Sequence, residues 1–410
     1  MLNKAFDAQC SAVKVHCTDA AQQRKAGLTL FALALGSFCI GTSEFASMGI
    51  LQLFAASLGI DLPAATNAIT AYAFGVVIGA PLVTLAAARL NRRTLLLLLM
   101  TLFVCGNILS ALATDLRMFA VARFISGVPQ GAYFGAGAVV ASYIVGPGHG
   151  GKAFALVMSG LTIATIVGSP LATFLGQNLG WRNTYLAVAS FGVLSTLTLW
   201  FWVPKTNSLD GGSVARELAS LGRSSVWLMM MVAALGVASI FAVYTFIGVF
   251  VTDVVAIGAE WIPVALALFG IGMTVGNLVG GKIADVHPAR GIVVGFGSAI
   301  IVLAILASFG SNIPTLFVGL FCVGATMMTA IPTIQVRLTR LAPEAPTLMG
   351  AMNLAALNVA NAIGAWAGGL AIGSGFGLLS AVWAGFCLTL LGLAVFALIV
   401  RGSPQTALAH

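Results

Sequence analysis

Long apolar stretches broken by short polar ones constrain this chain more than any other feature. About 20 apolar residues suffice to cross the hydrocarbon core of a bilayer as a helix. Twelve such spans are predicted, at residues 26–54, 64–87, 94–113, 117–145, 153–177, 184–203, 225–252, 261–284, 291–310, 313–336, 347–373 and 377–400. Lipid offers no partners for backbone groups, so segments of this length and composition must be helical. Only 7% of the 410 residues are charged, too few to cover a water-soluble surface. The 48 glycines agree, because small residues let membrane helices approach closely. The expected class is an all-α integral membrane protein.

The charges give the orientation. With the N-terminus in the cytoplasm, 16 of the 19 Lys and Arg residues fall in cytoplasmic segments. Arg117 and Arg182 fall outside, and Arg123 lies within a span. A different number of spans would destroy this asymmetry. The net charge of +8 is therefore a topology signal, and nucleic-acid binding is not expected. Residues 1–25 lack the apolar core of a signal peptide and read as a flexible cytoplasmic extension. Residues 204–224 have a polar linker composition and separate a first half, 26–203, from a second, 225–400; residues 401–410 read as a cytoplasmic tail.

The halves resemble each other. The run from Gly79 into Arg89, Arg92 and Arg93 matches the run from Gly276 through Lys282 and Asp285 to Arg290, at an offset of 197 residues. Gly168 and Gly364 also match loosely. Two six-helix halves of this kind place a transport site at their interface near the midplane.

Glu44 is the only acidic residue well inside a span. A charge at that depth usually faces a cavity or a partner. Its two protonation states can couple proton movement to another process. Ser37, Gly41, Glu44 and Met48 share one helical face, a small and polar stripe better suited to a cavity than to lipid. A structural carboxylate bonded between helices is the alternative.

Four segments resemble the major facilitator superfamily, and within it the twelve-helix drug:proton antiporters of the sugar-efflux and chloramphenicol-efflux branch. They are Gly41-Thr42-Ser43-Glu44-Phe45 in span 1, Ala88-Arg89-Leu90-Asn91-Arg92-Arg93 after span 2, Arg123 to Gly131 in span 4, and Gly160 to Gly176 in span 5. The resemblance covers roughly residues 26–400 and implies two pseudo-symmetric six-helix bundles. It implies a gating role for Arg89, Arg92 and Arg93. Ala88 stands where the family has an acidic residue, which shifts the expected charge lock toward Asp285. It also implies that Arg123 works with Glu44 in proton coupling; snorkelling to the outer face is the alternative for this arginine. Gly160, Gly168 and Gly176 form a packing stripe, and Pro170 is expected to bend span 5. In the family this stretch accompanies export, although here Ser169 separates Gly168 from Pro170.

Gln130, Asn107, Asn277, Asn353, Asn358 and Asn361 are candidate substrate contacts, as are Tyr72, Tyr133 and Tyr244. His149 and His287 fall in cytoplasmic loops. The six cysteines form no CxxC pair and read as small buried hydrophobes. No cofactor or metal is expected. The sequence shows no HExxH, no phosphate-binding glycine loop and no paired carboxylates, which argues against an enzyme. The two-half repeat argues against a channel. The expected function is export of a sugar or neutral amphipathic drug in exchange for protons, by a monomer in the inner membrane with both termini cytoplasmic. A proton-coupled importer is the runner-up. In a cysteine-free background, Asp61→Cys should react with an impermeant maleimide from outside intact cells, and Asp210→Cys only after permeabilisation. The reverse pattern would overturn the orientation.

Overall fold

The computed structural model describes residues 2–87, 90–145, 150–206, 209, 222–286, 288–343 and 346–402, with side chains described from Arg24 onward except at 84–85, 150–155, 285–286, 288–289, 346–348, 351 and 401–402. Among the described residues there is no strand. Twelve helices among the described residues are long and apolar enough to cross a membrane: Arg24–Gly49, Leu62–Val83, Arg92–Leu112, Leu116–Val145, Leu156–Leu179, Trp181–Trp202, Ser224–Tyr244, Ala259–Ala284, Arg290–Phe309, Ile313–Leu341, Met352–Gly373 and Ser380–Val400. They are numbered span 1 to span 12 below. Their number and order agree with the sequence reading.

The helix of span 1 begins at Leu2 and runs to Gly49. The first 25 residues contain no Gly or Pro and several Ala and Gln, a composition that favours helix.

Close backbone approach at glycine organises both halves. A Cβ on Gly127 would strike the Tyr72 carbonyl, and one on Gly75 the Phe124 carbonyl, so spans 2 and 4 meet backbone to backbone. The same contacts recur between spans 8 and 10, where Gly324 meets the Phe269 carbonyl and Gly272 the Phe321 carbonyl. Each of these residues lies 197 positions from its counterpart, the offset of the sequence repeat. Gly160 packs onto the backbone of Ala34 and Phe38, and Gly364 packs likewise onto Ala238 and Ala242. Gly364 thus repeats the backbone contact of Gly160, while its partner Ala238 lies 196 residues from Thr42, the same offset that separates Gly364 from Gly168. Gly168 packs on Thr42 and Phe38.

Spans 1 and 7 break at equivalent places. Ile50 has φ −107° and ψ 15°, and Phe246 has φ −108° and ψ 12°. Both lie in the sparsely populated region between helix and strand. A short helix, Leu51–Leu58, follows the first break, and a π-helical turn over Phe250–Val254 follows the second. Span 5 carries another π-turn at Ala164–Gly168, immediately before Pro170. Proline lacks the N–H that would continue the α pattern, and the ladder slips there to a Ser169 N–H bond with the Ala164 carbonyl. The disturbance before Pro170 is a change of helical register.

The halves touch mainly at the end where spans 1 and 2, 5 and 6, 7 and 8, and 11 and 12 are joined. Gln52 Nε2 donates to Thr252 Oγ1 at 3.0 Å and to Asp253 Oδ2 at 3.2 Å. Gln177 Nε2 donates to the Ala259 carbonyl at 2.7 Å. Gly373 packs against Pro63. Among the described residues no side-chain hydrogen bond joins the halves at the opposite end.

Of the span cysteines, only Cys39 is buried, whereas Cys105 and Cys387 lie on the outer surface. Small apolar side chains are as acceptable against lipid as in a core, so the expectation of burial failed for these two.

The glycine contacts yield a stability test. Gly127→Leu should lower the unfolding temperature of the detergent-purified protein, because overpacking at a close contact costs about 1–3 kcal/mol. Gly135→Ala, where a Cβ meets nothing within 4 Å, should leave it unchanged. Equal stability of the two variants would show that the close approach is not required.

Candidate functional site

Glu44 is 5% exposed and lies between the halves. Its Oε2 accepts from Gln130 Nε2 of span 4 at 2.9 Å. Its Oε1 accepts from Asn361 Nδ2 of span 11 at 3.3 Å. One carboxylate is thus held by an amide from each half. Gln130 Oε1 in turn accepts from the Tyr72 hydroxyl at 2.6 Å.

Arg123 is fully buried, so it does not snorkel. Its guanidinium donates to Ser43 Oγ and to the Ser43 carbonyl, each at 2.9 Å. It also lies 4.3 Å from the centre of the Tyr72 ring and 5.3 Å from that of Tyr185. A buried charge needs such compensation, and a desolvated cation–π contact supplies up to about 2 kcal/mol. Tyr72 therefore touches Gln130 through its hydroxyl and Arg123 through its face. Ser43 is bonded to Arg123 and covalently joined to Glu44. The carboxylate and the guanidinium communicate along two short paths, without direct contact. Ser43 Oγ donates to Asn107 Oδ1 at 2.7 Å, and Ser47 Oγ pairs with the Tyr185 hydroxyl at 2.9 Å.

A cavity of about 90 Å³, measured as the space open to the centre of a water molecule, adjoins this cluster. Several waters fit such a volume. Glu44 and Gln130 line it from the first half, with Thr162 and Thr165 of span 5. Asn277 of span 8 and Asn358 of span 11 line it from the second, and Phe45, Phe241, Met273 and Met328 form much of its apolar wall. At its closed end Tyr244 donates to Ser169 Oγ at 2.8 Å and packs edge-on to Phe45 and Phe269. A Cβ at Gly270 would lie 2.7 Å from the Thr165 carbonyl, so spans 5 and 8 are in backbone contact there.

The structure gathers Glu44, Gln130, Asn277, Asn358 and Asn361 at or beside the cavity. Arg123, Tyr72 and Asn107 stand behind it as support. Tyr133 donates to the Leu33 carbonyl at 3.0 Å within the first half, and Asn353 donates to Gln335 Oε1 at 2.9 Å; neither lines the cavity. Ser37, Gly41 and Met48 pack against neighbouring helices, so of the expected polar stripe only Glu44 reaches the cavity. Arg93 is buried against span 6, bonded to the Trp200 carbonyl and lying over the Trp200 ring, and Arg92 is half-buried. Arg89, His149, His287 and the side chain of Asp285 lie outside the described residues. Sequence reasoning missed the cavity threonines and apolar wall. The pairs Thr162–Thr165 and Thr274–Asn277, each three apart within an apolar span, were the available signal.

The Major Facilitator Superfamily model matches residues 33–365. The chain belongs to this superfamily. It is 37% identical to the inner membrane transport protein YdhP of Escherichia coli K12, over 93% of this chain and 98% of that protein. It is 34% identical to the AraJ protein of the same organism, over 83% of this chain and 87% of that one. It is 32% identical to a chloramphenicol resistance protein of Streptomyces lividans, over 90% and 95% of the two chains. Among solved structures it resembles a bacterial homolog of the human lysosomal transporter Spinster, in an inward-facing and unoccupied conformation. The TM-score is 0.71, covering 92% of this chain and 97% of that one at 14% identity, a likeness of fold. The protein is a multi-pass membrane transporter of the superfamily, not an enzyme.

Arg123→Lys keeps the charge but loses the two-point grip on Ser43 and the planar stack on Tyr72. It should lower transport at least tenfold while the protein still inserts and purifies, measured as substrate flux per molecule. Unchanged flux would show that the guanidinium geometry is dispensable.

Proposed function

We propose that this superfamily transporter exports a small molecule in exchange for protons by alternating access. The observation that carries the reading is the Glu44 carboxylate, accepting one hydrogen bond from Gln130 and another from Asn361. Protonation converts an acceptor-only group into one that also donates, so it must rearrange the contact between the halves. Arg123, reached through Tyr72 and Ser43, is the permanent cation of the cluster.

The moving bodies in this proposal are residues 26–203 and 225–400, joined by 204–224. With both termini cytoplasmic, the closed end holding Gln52 and Gln177 faces outward, and the cavity is reached from the cytoplasm. A relative named as an inner membrane transport protein supports that location, and one named for chloramphenicol resistance supports export. The substrate class is a sugar or a neutral amphipathic drug, carried by a monomer. Arg92 and Asp285 remain proposed gating residues.

Substrate-driven proton movement in proteoliposomes containing a pH dye tests the reading. Pentoses, chloramphenicol-like drugs and cationic dyes form the panel. A response in wild type that falls at least tenfold in Glu44→Gln is expected. An undiminished response in the variant would demote Glu44 to a structural carboxylate. Proton entry together with substrate, in place of exchange, would make the protein an importer.

A further inference from the structure

Span 11 carries two amide side chains whose carbonyl oxygens have no donor, Asn358 on the cavity wall and Asn361 beside it against Glu44. Asn358 donates its amide N–H to the Leu354 carbonyl at 3.0 Å, and Asn361 donates to Glu44 Oε1 at 3.3 Å. These donations fix the orientation of each amide, since a reversed amide would set oxygen against oxygen. Oδ1 of Asn358 and Oδ1 of Asn361 are left buried and unpaired. The residues are 3% and 0% exposed, respectively, and lie on one side of the helix. Buried acceptors without donors are costly and rare in native proteins. Beside them stands the Glu44 carboxylate, a third acceptor. No Lys, Arg or His is among the described residues that line the cavity.

We infer that Asn358 and Asn361 select substrates by their hydrogen-bond donors: the transported molecule carries hydroxyl or amine groups on an apolar body. Its donors satisfy the orphan carbonyls and the carboxylate, and its body rests against Phe45, Phe241, Met273 and Met328. Anionic groups meet no cationic side chain among the described lining residues, and acceptor-only groups cannot satisfy the span 11 carbonyls or Glu44, so both bind less well than a donor-bearing molecule. A protonated Glu44 offers an O–H to the same acceptors. Substrate and proton therefore supply the same missing donor, which makes them competitors without requiring a charged substrate. The inference rests on reading this cavity as the transport site.

The test uses a matched pair of probes, 1-phenyl-1,3-propanediol and its dimethyl ether, which share an apolar body and differ in donors. Binding to the full-length purified protein is measured by equilibrium dialysis. The diol should bind at least tenfold more tightly than the ether, because a site built for donors discriminates strongly against an analogue lacking them. Asn358→Leu should reduce that preference below threefold with an unchanged unfolding temperature. The wild-type comparison stands even if the variant fails to fold. Equal affinity for the two probes, no binding of either, or a full preference retained in a folded Asn358→Leu would overturn the inference. Diol-selective binding without proton movement in vesicles would sink proton exchange and leave this inference standing. Proton movement driven equally by diol and ether would do the reverse.

Discussion

A carboxylate buried between helices in a membrane must find its donors in the protein, and the arrangement around Glu44 follows from that constraint. Gln130 and Asn361 supply them from opposite halves. Each supplier then needs support. Gln130 is braced by Tyr72, Tyr72 lies under Arg123, and Arg123 is gripped by Ser43, the neighbour of Glu44. Asn107 completes the set by accepting from Ser43. Polar residues that would each be costly alone form a closed circuit within spans 1 to 4, and only Asn361 reaches in from the other half. The cluster is rigid on one side of the interface and singly tethered on the other, a distribution suited to a contact that must break and reform.

Glycine makes this circuit possible. Tyr72 and Arg123 can stack because spans 2 and 4 approach backbone to backbone at Gly75 and Gly127. The second half repeats the approach at Gly272 and Gly324 but carries no comparable charge circuit, for Phe269 stands where Tyr72 would be. The duplication preserved the scaffold and left the polar machinery in one copy. Phe269 packs instead against Tyr244, at the closed end of the cavity.

Much of this was legible in the sequence. Span number, the 197-residue repeat and the singular position of Glu44 follow from composition and spacing. Gln130, Asn277, Asn358 and Asn361 stood out as polar residues in apolar spans, and the structure brings the first three to the cavity and Asn361 beside it. Asn107 and Tyr72 stood out for the same reason yet proved to be support, because a polar side chain in lipid satisfies itself with whatever helix it faces. Facing depends on helix rotation. The break at Ile50, the matching break at Phe246 and the π-turn before Pro170 reset that rotation partway along spans 1, 7 and 5. An ideal 3.6-residue period cannot then tell which apolar residues line a cavity, and Thr162, Thr165 and the methionines escaped notice. The slip of register at Pro170 was foreseeable as a disturbance but not as a π-turn.

The closed end is held by side-chain amides, those of Gln52 and Gln177, with Gly373 packed on Pro63 and no lysine or arginine in the amide contacts. A typical intramolecular hydrogen bond contributes about 0.5–1.5 kcal/mol net. Moving one elementary charge through a potential of 100 mV is worth about 2.3 kcal/mol. The two quantities are of the same order. A clasp this weak leaves the balance between outward-closed and outward-open forms open to the membrane voltage in any transition that carries a charge, such as the Glu44 carboxylate, through the field.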